Sequence, residues 1–149
     1  MALRITTLVG VLALLLAVPA ATLAQETEAT ADHQEAIGEA KTAARAWLAL
    51  LDAQDYTATW DQAGELLKGA VELRLWQRRM SVTLGPLGPV ASRAVRSSGY
   101  STTLPNAPDG EYVVLEYDTS FESQQTAFEE IVLKREADGM WRVSGYRIK

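Results

Sequence analysis

The stretch Glu111–Phe121, EYVVLEYDTSF, decides the fold. Val113, Leu115, Tyr117 and Phe121 share one parity, and Glu116 and Asp118 fall on the other. A period of two belongs to a strand with one buried and one wetted face, because successive side chains point to opposite sides. The stretch before it, Leu104–Gly110 (LPNAPDG), reads as a turn: its two prolines cannot donate to a ladder, and it closes on Asp109-Gly110.

Strand signals continue on both sides. Val90–Leu104 is polar and β-branched and reads as a strand. Ser123-Gln124-Gln125 marks a turn, and Thr126–Arg135 forms a strand around Ile131, Val132 and Leu133. Ala137-Asp138-Gly139 closes a hairpin into a final strand, Trp141–Lys149. Strict alternation in that last strand would put Tyr146 and Ile148 opposite Trp141 and Val143, exposing two large apolar residues. A β-bulge at Ser144-Gly145 removes the conflict by adding one residue, after which Tyr146 and Ile148 rejoin the Trp141 face. Gly145 would tolerate a positive φ there, and Gly145→Val would then cost about 1 kcal/mol or more.

Upstream the period changes to that of helices. Ile37, Ala40, Ala44, Trp47, Leu48 and Leu51 recur at spacings of three and four, in a helix from about Asp32 to Ala53. Asp55 reads as the N-cap of a second helix carrying Tyr56, Trp60, Ala63 and Leu67 and stopping at Gly69. A third runs from about Ala70 to Leu84 with Leu73, Trp76, Met80 and Leu84 in a stripe, ended by Gly85-Pro86. The fold class that follows is α+β: three N-terminal helices packed on a curved antiparallel sheet of about four strands.

The amino terminus speaks of compartment. Arg4, the apolar run Ile5–Val18 and the small residues up to Ala24 make a secretory signal peptide (residues 1–24), cut after Ala24. The run is shorter than the roughly 20 apolar residues of a membrane-spanning helix, and no later segment approaches that length. Residues 25–35 (QETEATADHQE) read as a flexible acidic leader, and 36–149 as a single domain. The expected localisation is periplasmic or secreted, with no membrane span after signal cleavage.

The chain has no Cys, which excludes disulfides, thiolate metal sites and thiol nucleophiles. Its net charge of −5, more negative still once Arg4 leaves with the signal, argues against nucleic acid, whose binding rests on neutralising phosphates.

Several elements together resemble an exported bacterial family of unknown function, number 4019. They are Ala44-Arg45-Ala46-Trp47-Leu48, Asp55-Tyr56 followed by Trp60, Gly85-Pro86-Leu87-Gly88, Ser92-Arg93, Pro108–Val114, Asp138-Gly139 and Trp141-Arg142-Val143-x-Gly145-Tyr146-x-Ile148. The resemblance implies export and the helix-then-sheet layout, and it brings no activity to transfer. That layout is similar to the nuclear-transport-factor-like cone fold, which hosts isomerases, dehydratases, binding modules and dimerisation domains, so any function taken from it is analogy.

Side-chain chemistry narrows the choices further. His33, the only His, lies in the polar leader, away from packed neighbours that could hold a base or ligand in place. Ser-His-Asp catalysis and His-rich metal sites fall with it, and no cofactor or metal is expected. Carboxylate pairs remain in Glu116 with Asp118 and in Glu129 with Glu130. Asp118 is the best single candidate for a proton-transfer base, with Tyr117 or Tyr146 as donors, although charges on a strand face are usually just solvated.

Trp47, Trp60, Trp76 and Trp141, with Tyr117, Asp118 and Tyr146, are candidate pocket-lining residues, against the plainer reading that the indoles fill the core. Arg74, Arg78 and Arg93, within an Arg-rich span that includes Arg79 and Arg96, are candidate anion-binding residues for a carboxylate, phosphate or lipid head group, against a solvated face.

The leading expectation is a non-enzymatic module of the bacterial envelope that binds a protein or a small apolar ligand. A cone-fold enzyme performing proton transfer on a small apolar substrate is one alternative. A structural dimerisation module is another, with a homodimer formed through the outer sheet face around Tyr112, Val114 and Val132.

Overall fold

A computed structural model describes residues 20–149, with side chains from Thr30 onward. The apolar run of the expected signal peptide lies outside the described residues, and its expected cleavage motif falls where only backbone is described. The element order is α1 (Ala20–Asp52), α2 (Tyr56–Asp61), α3 (Glu65–Ala70), α4 (Leu73–Leu84), a 3-10 turn (Gly85–Leu87), then β1 (Val90–Ser101), β2 (Tyr112–Phe121), β3 (Gln124–Arg135) and β4 (Trp141–Ile148). The strands form one antiparallel sheet in the order β1-β2-β3-β4. The fold is α+β, with helices packed on one sheet face.

Helix α1 lies across the inner face of the sheet and touches all four strands. Its stripe of Ile37, Ala40, Ala44, Trp47, Leu48 and Leu51 is buried throughout, and the two alanines, at 0% exposure, let the helix backbone approach the strands closely. It starts earlier than the periodicity suggests, at Ala20, so residues 25–35 lie on it. It ends where Gln54 takes φ 59° and the Asp55 N–H reaches the Leu50 carbonyl, a left-handed stop of the kind that satisfies the last turn's carbonyls. Asp55 then caps α2 as its residue type predicts, its Oδ1 accepting from the Ala58 N–H at 2.9 Å.

The expected second helix is two helices, α2 and α3, so that four helices precede the sheet among the described residues. The break falls at Gln62–Gly64 because the Gly64 N–H donates to the Val143 carbonyl of β4 at 2.8 Å. A Cβ at Gly64 would lie 2.4 Å from Oε1 of Glu136, which itself accepts from the Glu65 N–H and starts α3. Tertiary pinning to β4 therefore overrides the helical periodicity of the segment.

The inner sheet face carries Val113, Leu115, Tyr117, Thr119 and Phe121 of β2, as alternation requires, and Glu116 and Asp118 point outward. In β4, Val132 pairs with Gly145 but Leu133 pairs with Val143, so Ser144 is the extra residue of a bulge. Tyr146 opposite Ile131 and Ile148 opposite Glu129 thereby return to the face of Trp141 and Val143. The positive-φ glycines are Gly88 and Gly139, not Gly145, so the bulge needs no left-handed residue. A Cβ at Gly145 would stand 3.7 Å from that of Val132, an ordinary contact.

Three indoles fix the helical layer. The Trp47 Nε1–H donates to the Thr59 carbonyl at 2.8 Å, and the Trp76 Nε1–H donates to Thr59 Oγ1 at 3.0 Å. Thr59 Oγ1 in turn donates to the Tyr56 carbonyl, so this fully buried threonine ties α1, α2 and α4 together. The half-buried Trp60 donates to the Val71 carbonyl at 2.9 Å.

Candidate functional site

Alternation separates the adjacent carboxylates Glu129 and Glu130. Glu130 faces outward and pairs with Arg147 at 2.6 Å, whereas Glu129 points under the helices and is 1% exposed. A charge in that position is tolerable only with partners, and three side chains supply them. Arg93 of β1 donates through Nε at 2.6 Å and Nη2 at 3.2 Å, Tyr146 Oη at 2.7 Å, and Thr119 Oγ1 through a short bond. The other side of the Arg93 fork holds Asp52 at the end of α1, with Nη1 and Nη2 at 2.7 and 2.8 Å.

One planar guanidinium thus clamps the last turn of α1 to the sheet, a geometry that needs arginine's fixed fork. Burial alone would lower the pKa of Arg93, but its hydrogen bonds to Asp52 and Glu129 outweigh that and raise it. Burial pushes the Tyr146 phenol well above the ordinary tyrosine value, and the neighbouring Glu129 charge and hydrogen bond push the same way. Among the described residues no buried side-chain nitrogen or oxygen lacks a partner.

Directly across the β2–β3 ladder from Glu129 stands Tyr117, and its surroundings are different. The residue is 6% exposed, yet its hydroxyl makes no hydrogen bond among the described residues. It lines an open groove of about 390 Å³ between α1 and β1, together with Lys41, Arg45, Leu48, Ala49, Asp52, Arg93 and Val95. The groove exists because β1 extends beyond the helical layer: Val95 is on the inner face opposite Tyr117 but remains 47% exposed. Lys41 and Arg45, four residues apart on α1, form no ion pair among the described residues. Burial raises the Tyr117 pKa, with the Arg93 and Arg45 charges partly countering it, which puts Arg45 within electrostatic reach of the phenol.

The residues singled out in the sequence do not converge on one pocket. Trp47, Trp76 and Tyr146 pack on one another in the core, with ring centroids of Trp47 6.1 Å from Trp76 and 5.6 Å from Tyr146. Trp60 lies beneath Lys68, and Trp141 donates to Glu39 Oε2 at 3.0 Å near the other end of the sheet. Asp118 is on the outer face, 58% exposed beside Arg96 at 3.6 Å, because strand parity sends it away from the helices. It has no enclosure in which to work as a base.

Arg74 and Arg78 are exposed on α4, while Arg93 lies on β1 paired with two carboxylates, so the three do not form one anion site. Tyr112, expected on the outer face, is 1% exposed, its hydroxyl donating to the Pro108 carbonyl beneath the turn before β2. Val114 and Val132 remain half-buried on that face, beside Glu116, Glu130 and Arg147.

The sequence offers Glu129 only as half of a pair with Glu130; its burial and its three partners come from the structure. Its sign in the sequence is parity: in Ala127-x-Glu129-x-Ile131-x-Leu133 a carboxylate takes a core position. Among the described residues, no cluster of three or more His, Cys, Asp or Glu side chains could hold a metal ion. No helix among them is long and apolar enough to cross a membrane.

A family profile described as a protein of unknown function (DUF4019) matches residues 43–146, more than two thirds of the chain. The chain belongs to that family. No curated protein and no solved structure matches it.

Proposed function

We propose that this DUF4019 chain is an exported, non-enzymatic binding module of the bacterial envelope, and that its ligand sits in the groove between α1 and β1. The observation that carries this reading is the contrast across one ladder position. The buried carboxylate Glu129 is saturated by protein donors, whereas the Tyr117 hydroxyl beside it is left for a partner from outside. A general base needs a lone pair within reach of a substrate proton, and the Glu129 oxygens are engaged by Arg93, Thr119 and Tyr146. Export is supported by the three-part amino-terminal sequence of positive, apolar and small residues.

Purification from the native envelope tests both parts. Amino-terminal sequencing is expected to begin at Gln25 or within a few residues, and mass spectrometry under native conditions to show a retained small molecule. Soluble cytoplasmic protein that keeps Met1 would overturn export. A turnover activity abolished by E129Q in a folded protein would overturn the non-enzymatic reading in favour of proton-transfer catalysis.

A further inference from the structure

We infer that the α1–β1 groove binds a small amphipathic monocarboxylate, an acid with an apolar body. This deepens the binding-module reading and rests on it. The groove offers three kinds of contact. Lys41 and Arg45 place on one face of α1 two cations that form no ion pair among the described residues. Like charges at this spacing disfavour a helix by a few tenths of a kcal/mol, so an anion between them removes a strain that the free chain carries. Arg93 is already shared between Asp52 and Glu129, which take four of its five N–H donors, so its charge is largely met within the protein.

The second contact is the Tyr117 hydroxyl, more than nine-tenths buried as a residue and without a hydrogen-bond partner among the described residues. A carboxylate accepts from such a phenol and from the two cations at once, in charge-assisted hydrogen bonds stronger than neutral ones. The third is apolar: Leu48 and Ala49 on α1 and the half-exposed Val95 on β1 form the rest of the lining. Val95 belongs to the inner face, where every neighbour on β2 is covered by helix, and an aliphatic or aromatic body supplies the cover it lacks. The volume of about 390 Å³ lies in the range of small-molecule sites. A dianion fits poorly, since Asp52 lies on the same wall.

The probe is octanoate, titrated into the full mature chain by calorimetry and followed by amide and side-chain NMR, with octanol as its uncharged counterpart. Octanoate is expected to bind at least tenfold more tightly than octanol and to shift the resonances of Lys41, Arg45, Val95 and Tyr117. R45E is expected to weaken octanoate at least tenfold and leave octanol unchanged. Y117F is expected to weaken octanoate about tenfold with an unaltered melting temperature, which separates a binding role from a structural one.

Equal binding of octanoate and octanol, or octanoate binding indifferent to R45E and Y117F, would overturn the carboxylate assignment. If octanoate fails while a molecule retained from the envelope shifts the same four residues, the carboxylate assignment falls and the binding-module reading stands. If the retained molecule shifts residues elsewhere, both fall.

Discussion

Glu129 and Tyr117 are neighbours across one rung of the β2–β3 ladder, both on the inner face and both more than nine-tenths buried. One is surrounded by donors, and the hydroxyl of the other has no hydrogen-bond partner among the described residues. What differs is the cover. Beside Glu129, the last turn of α1, strand β1 and strand β4 all contribute a side chain, so the polar cluster is closed and rigid. Beside Tyr117, β1 has run past the helical layer, and of the groove-lining side chains on α1 the two cations, Lys41 and Arg45, stop short of an ion pair with any described residue. Burial of a residue therefore does not say how its polar atom is served: the Glu129 oxygens are met by protein donors, and the Tyr117 hydroxyl opens on the groove.

The largest effect expected from probing this contrast is at Glu129. Glu129→Ala leaves the Arg93 guanidinium with Asp52 as its one carboxylate and strands two hydroxyls, and should cost about 3 kcal/mol in urea unfolding, the low end of the range for breaking a buried ion pair. A loss below about 1 kcal/mol would mean that the cluster is not holding α1 to the sheet. Arg93→Lys keeps the charge but cannot bridge Asp52 and Glu129 with a planar fork, and should cost about 2 kcal/mol.

Next comes Tyr146→Phe, expected to cost about 1 kcal/mol near neutral pH and to change the alkaline limb of stability. The phenol's folded pKa is raised above the ordinary value of 10.0, mainly by burial and then by Glu129. The unfolded chain thus releases this proton first, and stability present below pH 10 falls as the pH rises through and beyond it. The slope should flatten in the variant, and an unchanged slope would remove Tyr146 as its cause. The smallest effect belongs to Tyr117→Phe, within about 0.5 kcal/mol of the parent, because the lost hydroxyl had no partner to abandon. A loss as large as that of Tyr146→Phe would erase the distinction between the two sites.

Much of this architecture is legible in the sequence. Parity in Glu111–Phe121 fixes which side chains of β2 face the helices, and the need to keep Tyr146 and Ile148 with Trp141 places the bulge at Ser144. The turn chemistry at Leu104–Gly110 and Ala137–Gly139 delimits the strands. Long-range contacts are what local patterns leave out. Gly64 weakens the second helix by its residue type, but nothing local reveals that its N–H will be taken by Val143, and so the break is fixed only when β4 is in place.

The candidate site fares similarly. Arg93, Tyr117 and Tyr146 stand out by type, but their roles depend on Asp52 and Glu129 arriving from other elements. Asp118 shows the opposite case, since its outward parity was already readable in the strand that carries it.

Strand β1 has one more consequence. It forms a sheet edge twelve residues long, and an uncovered edge of that length is a template on which a second chain can add its own strand and begin to aggregate. Its pairing with β2 shifts register twice, between Val90 and Ser92 and between Val95 and Ser97. Each irregularity bends the strand and interrupts the even row of backbone donors and acceptors that an incoming strand would need. The groove mouth can thus stay open without the strand edge beside it offering a template for a second chain.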